Sequence, residues 1–197
     1  IFAHRKVFLL TMLTAIIFGM KLTYLSNAQQ FFLEYYNIDE KFPLYFAFLA
    51  TAIGSAFFLN SALVVRLGGY KLCTFAIALL CCMSAFLCVG SWIGNGIPPF
   101  WIFLSSLFGM FFSFGLLWGN VAALAMEYLG DVAGLGSTMI SAGSSLVAFI
   151  FASILGTFYG STLLPIAIGF VVLSALAAIC FTIVVNSSHT HAVTQVA

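Results

Sequence analysis

The chain has 197 residues, 63% of them hydrophobic and 6% charged, with a formal net charge of +1. A soluble domain is about 45–50% apolar and about 25% charged, so this chain lacks the polar side chains to cover a water-facing surface, and a lipid bilayer is the expected solvent for most of it. So even a charge balance also excludes a basic nucleic-acid-binding face, and no nucleic-acid partner is expected.

A membrane-spanning helix takes about 20 mainly apolar residues. Six such runs are present, at about 7–33, 43–65, 72–93, 99–126, 135–158 and 162–185. The stretch Ile166–Val185 lacks the apolar–polar alternation that barrel strands of about 10 residues would show. The expected fold class is therefore an all-α membrane protein, a single domain of six transmembrane helices over 1–197.

The first run follows His4-Arg5-Lys6. It is too long for a secretory signal peptide and no small-residue cleavage site follows it. With Ile1 at the start, the expectation is a piece of a longer protein. Lys21 falls about 20 Å along the run at about 1.5 Å per residue. A lysine at such depth costs at least about 2.5 kcal/mol on insertion scales. It either faces a water-filled cavity or snorkels to the outer headgroups. Thr14, Lys21 and Ala28 share a line, with Tyr24 and Leu25 beside it. Ser26, Asn27, Gln29 and Gln30 either extend that polar face or form a fraying outer end.

Pro43 suits the start of the second run, where its missing N–H would be unpaired anyway. Arg66-Leu67-Gly68-Gly69-Tyr70-Lys71 reads as a tight charged turn, and Gly94 to Pro99 as a loop. In the fourth run Gly109, Ser113, Asn120 and Glu127 cluster on one face, whereas Trp118 falls off it as a packing or lipid contact. That face either lines a binding site, as matching polar interruptions in two repeats do, or makes a hydrogen bond between helices. The fifth run carries small residues, Ser141, Ser145, Ala148, Ala152, Gly156 and Gly160, which predict a tight helix interface. The third and sixth runs lack polar stripes and suit lipid-facing positions. The polar tail 186–197 is expected to be flexible and cytoplasmic.

Cys73, Cys81, Cys82, Cys88 and Cys180 all lie in apolar runs without metal-site spacing. His189 and His191 in a mobile tail do not make a metal site. No nucleophile–base pair and no phosphate loop is recognisable. No catalytic residue, metal or cofactor is expected, and the chain is not expected to be an enzyme.

Arg5, Lys6, Arg66 and Lys71 fall on one side, and Lys41 with Glu34, Asp39 and Glu40 on the other. The positive side is cytoplasmic, which puts both termini in the cytoplasm of a multi-pass inner (plasma) membrane protein. Six helices also divide into two triplets of opposite orientation, the arrangement of inverted repeats within transporter halves.

The turn Arg66 to Lys71 resembles the second-copy loop between helices eight and nine of major facilitator transporters. The stretch Leu124 to Ser137 resembles the junction of helices ten and eleven in the Bcr/CflA drug-resistance group. Glu127, Ala133, Gly134, Gly136 and Ser137 match that pattern, and Tyr128 stands where proline is usual. The resemblance covers the whole chain as a C-terminal six-helix half. It implies an N-terminal six-helix half of the same transporter as partner, and export of small-molecule drugs or metabolites by proton antiport through alternating access. Arg66, Gly68, Lys71 and Glu127 would then belong to conformational loops. Lys21, Tyr24, Ser113 and Asn120 are the candidate substrate-binding residues of the cavity. A self-contained six-helix channel or receptor is the alternative.

Overall fold

Within lipid a backbone must satisfy its own hydrogen bonds, so each long apolar run folds as one helix. A computed structural model describes residues 5–129 and 133–194, with side chains at all of these except 133 and 188–194. Ile1, His4 and Asp131, and the side chains of Ala133, His189 and His191, lie outside the described set. The helices are α1 (Arg5–Gln30), which continues through a π-helical turn at Phe31–Tyr35, α2 (Phe42–Leu67), α3 (Gly69–Ile93), α4 (Phe100–Glu127), α5 (Ala133–Gly156) and α6 (Leu164–Thr194). All six are long and apolar enough to cross a membrane, and the described residues contain no strand.

Three boundaries differ from the sequence expectation. The charged turn at Arg66 to Lys71 contracts to Gly68 alone, with Arg66 still in α2 and Lys71 already in α3. Gly68 makes this possible at φ 80°, a backbone conformation that costs glycine little. α1 ends two residues past the expected 33, the polar Ser26 to Gln30 stretch staying helical and the helix winding on through Tyr35 as a π-helical turn. The tail beyond 185 stays helical to Thr194, because no glycine or proline follows Gly169 within the element to stop it.

α1, α4, α3 and α6 form a closed ring in which each helix packs on the next, with α2 laid against α4 and α5 against α1. In their most apolar stretches 61% of residues are buried in α1 and α4, 39% in α3 and 33% in α6, but only 28% in α5 and 17% in α2. The least buried helices are thus α2 and α5, and α3 and α6 also leave most of their apolar stretches unburied. A buried hydroxyl pair, Ser84 and Ser174 at 2.8 Å, joins α3 to α6. One serine on each helix is too sparse a signal to show as a stripe.

The set of helix neighbours has a simple property. Exchanging α1, α2 and α3 for α4, α5 and α6 turns the large pairs α1–α5 and α1–α6 into α4–α2 and α4–α3, all of which occur, whereas the small α4–α5 contact has no comparable α1–α2 counterpart. The two outlying helices are seated by the same device. A Cβ added at Gly19 of α1 would lie 3.0 Å from Phe151 Cβ and 3.2 Å from Ala148 O of α5. One added at Gly115 of α4 would lie 2.6 Å from Ala56 Cβ and 3.0 Å from Ile53 O of α2. Missing side chains let the backbones meet closely where lipid gives no hydrophobic drive to associate. On α5 the buried line is Ile140, Ser144, Ala148 and Ala152. The expected small-residue interface therefore holds only at Ala148 and Ala152, whereas Ser141, Ser145 and Gly160 are exposed.

Candidate functional site

Three helices each contribute a pair of side chains one turn apart to a cavity of about 190 Å³. The pairs are Ile17 and Lys21 of α1, Ile53 and Phe57 of α2, and Phe114 and Trp118 of α4, with Gly115 at the base. The i, i+4 spacing places each pair on one helix face. The close approach at Gly115 brings the α2 pair alongside the α4 pair.

Lys21 is half-buried, and its side chain turns back toward the start of α1. Its Nζ lies 4.8 Å from the centre of the Phe18 ring and 4.7 Å from that of Trp118. The two rings meet edge to face at 5.8 Å. Phe18 lies one turn nearer the start of α1, so the ammonium is directed toward that end of the helix and over the two rings. Each ring face attracts a cation by about 0.5–1 kcal/mol when exposed and about 2 kcal/mol when desolvated. Trp118 was the residue assigned to packing or lipid. It is 45% exposed, stands over the ammonium and completes the cavity.

The other three candidate substrate residues are enclosed by the chain itself and do not line this cavity. Tyr24 is 1% exposed, with its ring edge-on to Phe111 at 5.0 Å. Its hydroxyl has no hydrogen-bond partner among the described residues. Ser113 is fully buried and donates to Gly109 O of its own helix at 2.9 Å. Asn120 is 4% exposed, and its Nδ2 donates to Asn60 Oδ1 of α2 at 2.5 Å and to Leu116 O at 2.6 Å. The polar face of α4 is thus an interhelical hydrogen bond. Asn60, its partner, is a lone amide in an otherwise apolar run and passed unnoticed in the sequence.

The polar residues at the end of α1 have a defined setting. Ser26, Gln29 and Gln30 line an open groove with Leu25, Leu33, Phe42 and Phe46. Asn27 instead donates to Thr23 O at 2.9 Å. Beyond the groove the π-helical turn holds α1 to both neighbouring connections. Tyr35 donates to Gly160 O at 2.7 Å and Tyr36 to Pro98 O at 2.8 Å. Tyr159 donates to Glu34 Oε2 at 2.6 Å. Burial and the adjacent Glu34 carboxylate hold the Tyr159 phenol well above its ordinary pKa, so it remains a donor.

At the other end the four loop candidates, Arg66, Gly68, Lys71 and Glu127, are all exposed. Between them Tyr128 Oη and Tyr70 Oη share a hydrogen bond of 2.8 Å, and Lys6 Nζ lies 4.9 Å over the Tyr128 ring. Tyr128 therefore ties the end of α4 to the starts of α1 and α3. Among the described residues no group of histidine, cysteine and carboxylate side chains could hold a metal ion. No protein-family model, curated protein or solved structure matches the chain.

Proposed function

We propose that this chain is the C-terminal six-helix half of a secondary transporter of the major facilitator type, most like the Bcr/CflA group. It exports drugs or metabolites by alternating access, driven by proton antiport. The observation that carries the reading is the exchange property of the helix neighbours. A six-helix unit made of two inverted triplets is expected to keep its main helix contacts when they are swapped, and the large pairs α1–α5, α1–α6, α2–α4 and α3–α4 fit that expectation. The glycine-seated contacts at Gly19 and Gly115 repeat the pattern at the residue level.

The open cavity adds to it. Sites for drug-sized ligands span about 300–1,000 Å³, whereas the cavity beside Lys21 has about 190 Å³ and is open on one side. That suits a half-site completed by another surface. The least buried helices, α2 and α5, are the natural seats for the N-terminal half. On this reading the protein lies in the inner (plasma) membrane with both termini cytoplasmic, and Lys21 contacts the substrate near the midplane.

The test is gradient-driven flux in proteoliposomes. The full-length protein should transport, and residues 1–197 alone should not. Flux through residues 1–197 alone would overturn the half-transporter reading and favour a self-contained channel.

A further inference from the structure

Building on the transporter reading, we infer that the cavity beside Lys21 takes a lipophilic organic monoanion, a carboxylate carried on a compact aromatic body. Charge is the first ground. Lys21 is the one described cation placed well inside a spanning helix: Arg5, Lys6, Arg66 and Lys71 stand at helix ends and Lys41 in the connection before α2. The four described carboxylates lie far from it, Asp39 and Glu40 in the connection before α2 and the other two well along the helices. Glu34 is about 20 Å up α1 from Lys21, and Glu127 is about 13 Å along α4 from Trp118, at about 1.5 Å per residue.

The rings of Phe18 and Trp118 hold the ammonium but carry no net charge, so the site is positive among the described residues. A charge taken out of water needs an opposite charge for full compensation. A carboxylate oxygen supplies both that charge and an acceptor for the ammonium's three N–H groups. A cationic ligand would meet like-charge repulsion. A neutral amide would leave the lysine without a counter-charge.

Shape is the second ground. A cavity of about 150 Å³ lined by apolar side chains accepts benzene, and this one has about 190 Å³ between Phe57, Phe114 and Trp118. One aromatic ring fits with its acid group toward Lys21. The face also continues outward. Leu25, Gln29 and Leu33 follow Lys21 at successive turns and all are exposed, leading to the groove with Ser26 and Gln30. Apolar and amide groups on one strip suit an amphipathic anion along its whole path.

The experiment measures equilibrium binding of three matched single-ring probes to the full-length protein in nanodiscs: benzoate, benzamide and benzylammonium. The carboxylate should bind at least about tenfold more tightly than the amide, equal to about 1.4 kcal/mol, and the ammonium weakest. Lys21→Gln should reduce the carboxylate to the level of the amide, and Lys21→Arg should keep the order. The wild-type comparison decides the matter even if a variant fails to fold. No binding of the carboxylate, equal or tighter binding of the amide or ammonium, or an unchanged order in folded Lys21→Gln would overturn the inference. Carboxylate preference without gradient-driven flux would support this inference and remove the transporter reading. Flux of neutral or cationic probes without carboxylate preference would do the reverse.

Discussion

Trp118 and Asn120 stand two residues apart on α4, and the bundle treats them in opposite ways. Asn120 is 4% exposed and spends its amide on Asn60 and Leu116. Trp118 is 45% exposed and stacks on the Lys21 ammonium at the wall of an open cavity. An amide can be fully satisfied by another amide, so the helices close over it. An ammonium bounded by ring faces retains unmet donors and charge, so a closed site there would be costly. Polarity inside a membrane helix therefore marks two different things. One is a joint between helices, the other a charge left on an open cavity.

The comparison is broken most severely by removing the charge. Lys21→Ala in the full-length protein should lower transport at least about tenfold, equal to about 1.4 kcal/mol, while leaving the thermal midpoint of the purified protein nearly unchanged. Transport kinetics at wild-type level would show that the open cavity is idle. Gly115→Val should come next. It drives atoms into Ala56 and the Ile53 carbonyl, and overpacking of this kind costs about 1–3 kcal/mol. A thermal shift assay should register it, with the cavity distorted at the same time.

Asn120→Leu should cost less. Hydrogen bonds between membrane helices average about 0.6 kcal/mol and reach about 1.7. Asn60→Leu added to it should recover stability, since the orphaned amide is then gone. Transport per folded molecule should stay near wild type, and a specific loss of transport with retained stability would move Asn120 back into the site. Tyr159→Phe, in the connection between α5 and α6, should have the smallest effect. Its bond to Glu34 is exposed, so the loss should not exceed about 0.5 kcal/mol, the low end for single hydrogen bonds. A larger loss in chemical denaturation would show that this junction does more than brace α1.

The architecture was largely legible because lipid leaves so few options. Once a run is long enough to span, it must be a helix, and Pro43 and the Gly94 to Pro99 breakers locate two boundaries to within a residue or two. What stayed hidden depends on context. The helix beyond 185 persists for want of a breaker, although its polar composition suggests a tail. The π-helical turn at Phe31–Tyr35 carries no composition signal, and it places Tyr35 and Tyr36 against two different connections.

The site was half legible. Lys21 stands out because its cost is high wherever the helix faces. Its partners do not, because which side of α4 meets α1 depends on where the helices touch. Grouping Ser113 and Asn120 by helical spacing found a true face of α4, but that face meets other helices and not the cavity. Phe18, one turn from Lys21, could have been found by asking what an N-terminally tilted lysine side chain covers.

The most direct measurement is thiol labelling of two single-cysteine variants, Trp118→Cys and Asn120→Cys, in the full-length protein with its other cysteines replaced. A membrane-impermeant maleimide should label position 118 during turnover, and benzoate should slow that labelling. Position 120 should stay unreactive until the protein is denatured. Labelling at 120 with none at 118, or labelling at 118 that no ligand slows, would contradict the account.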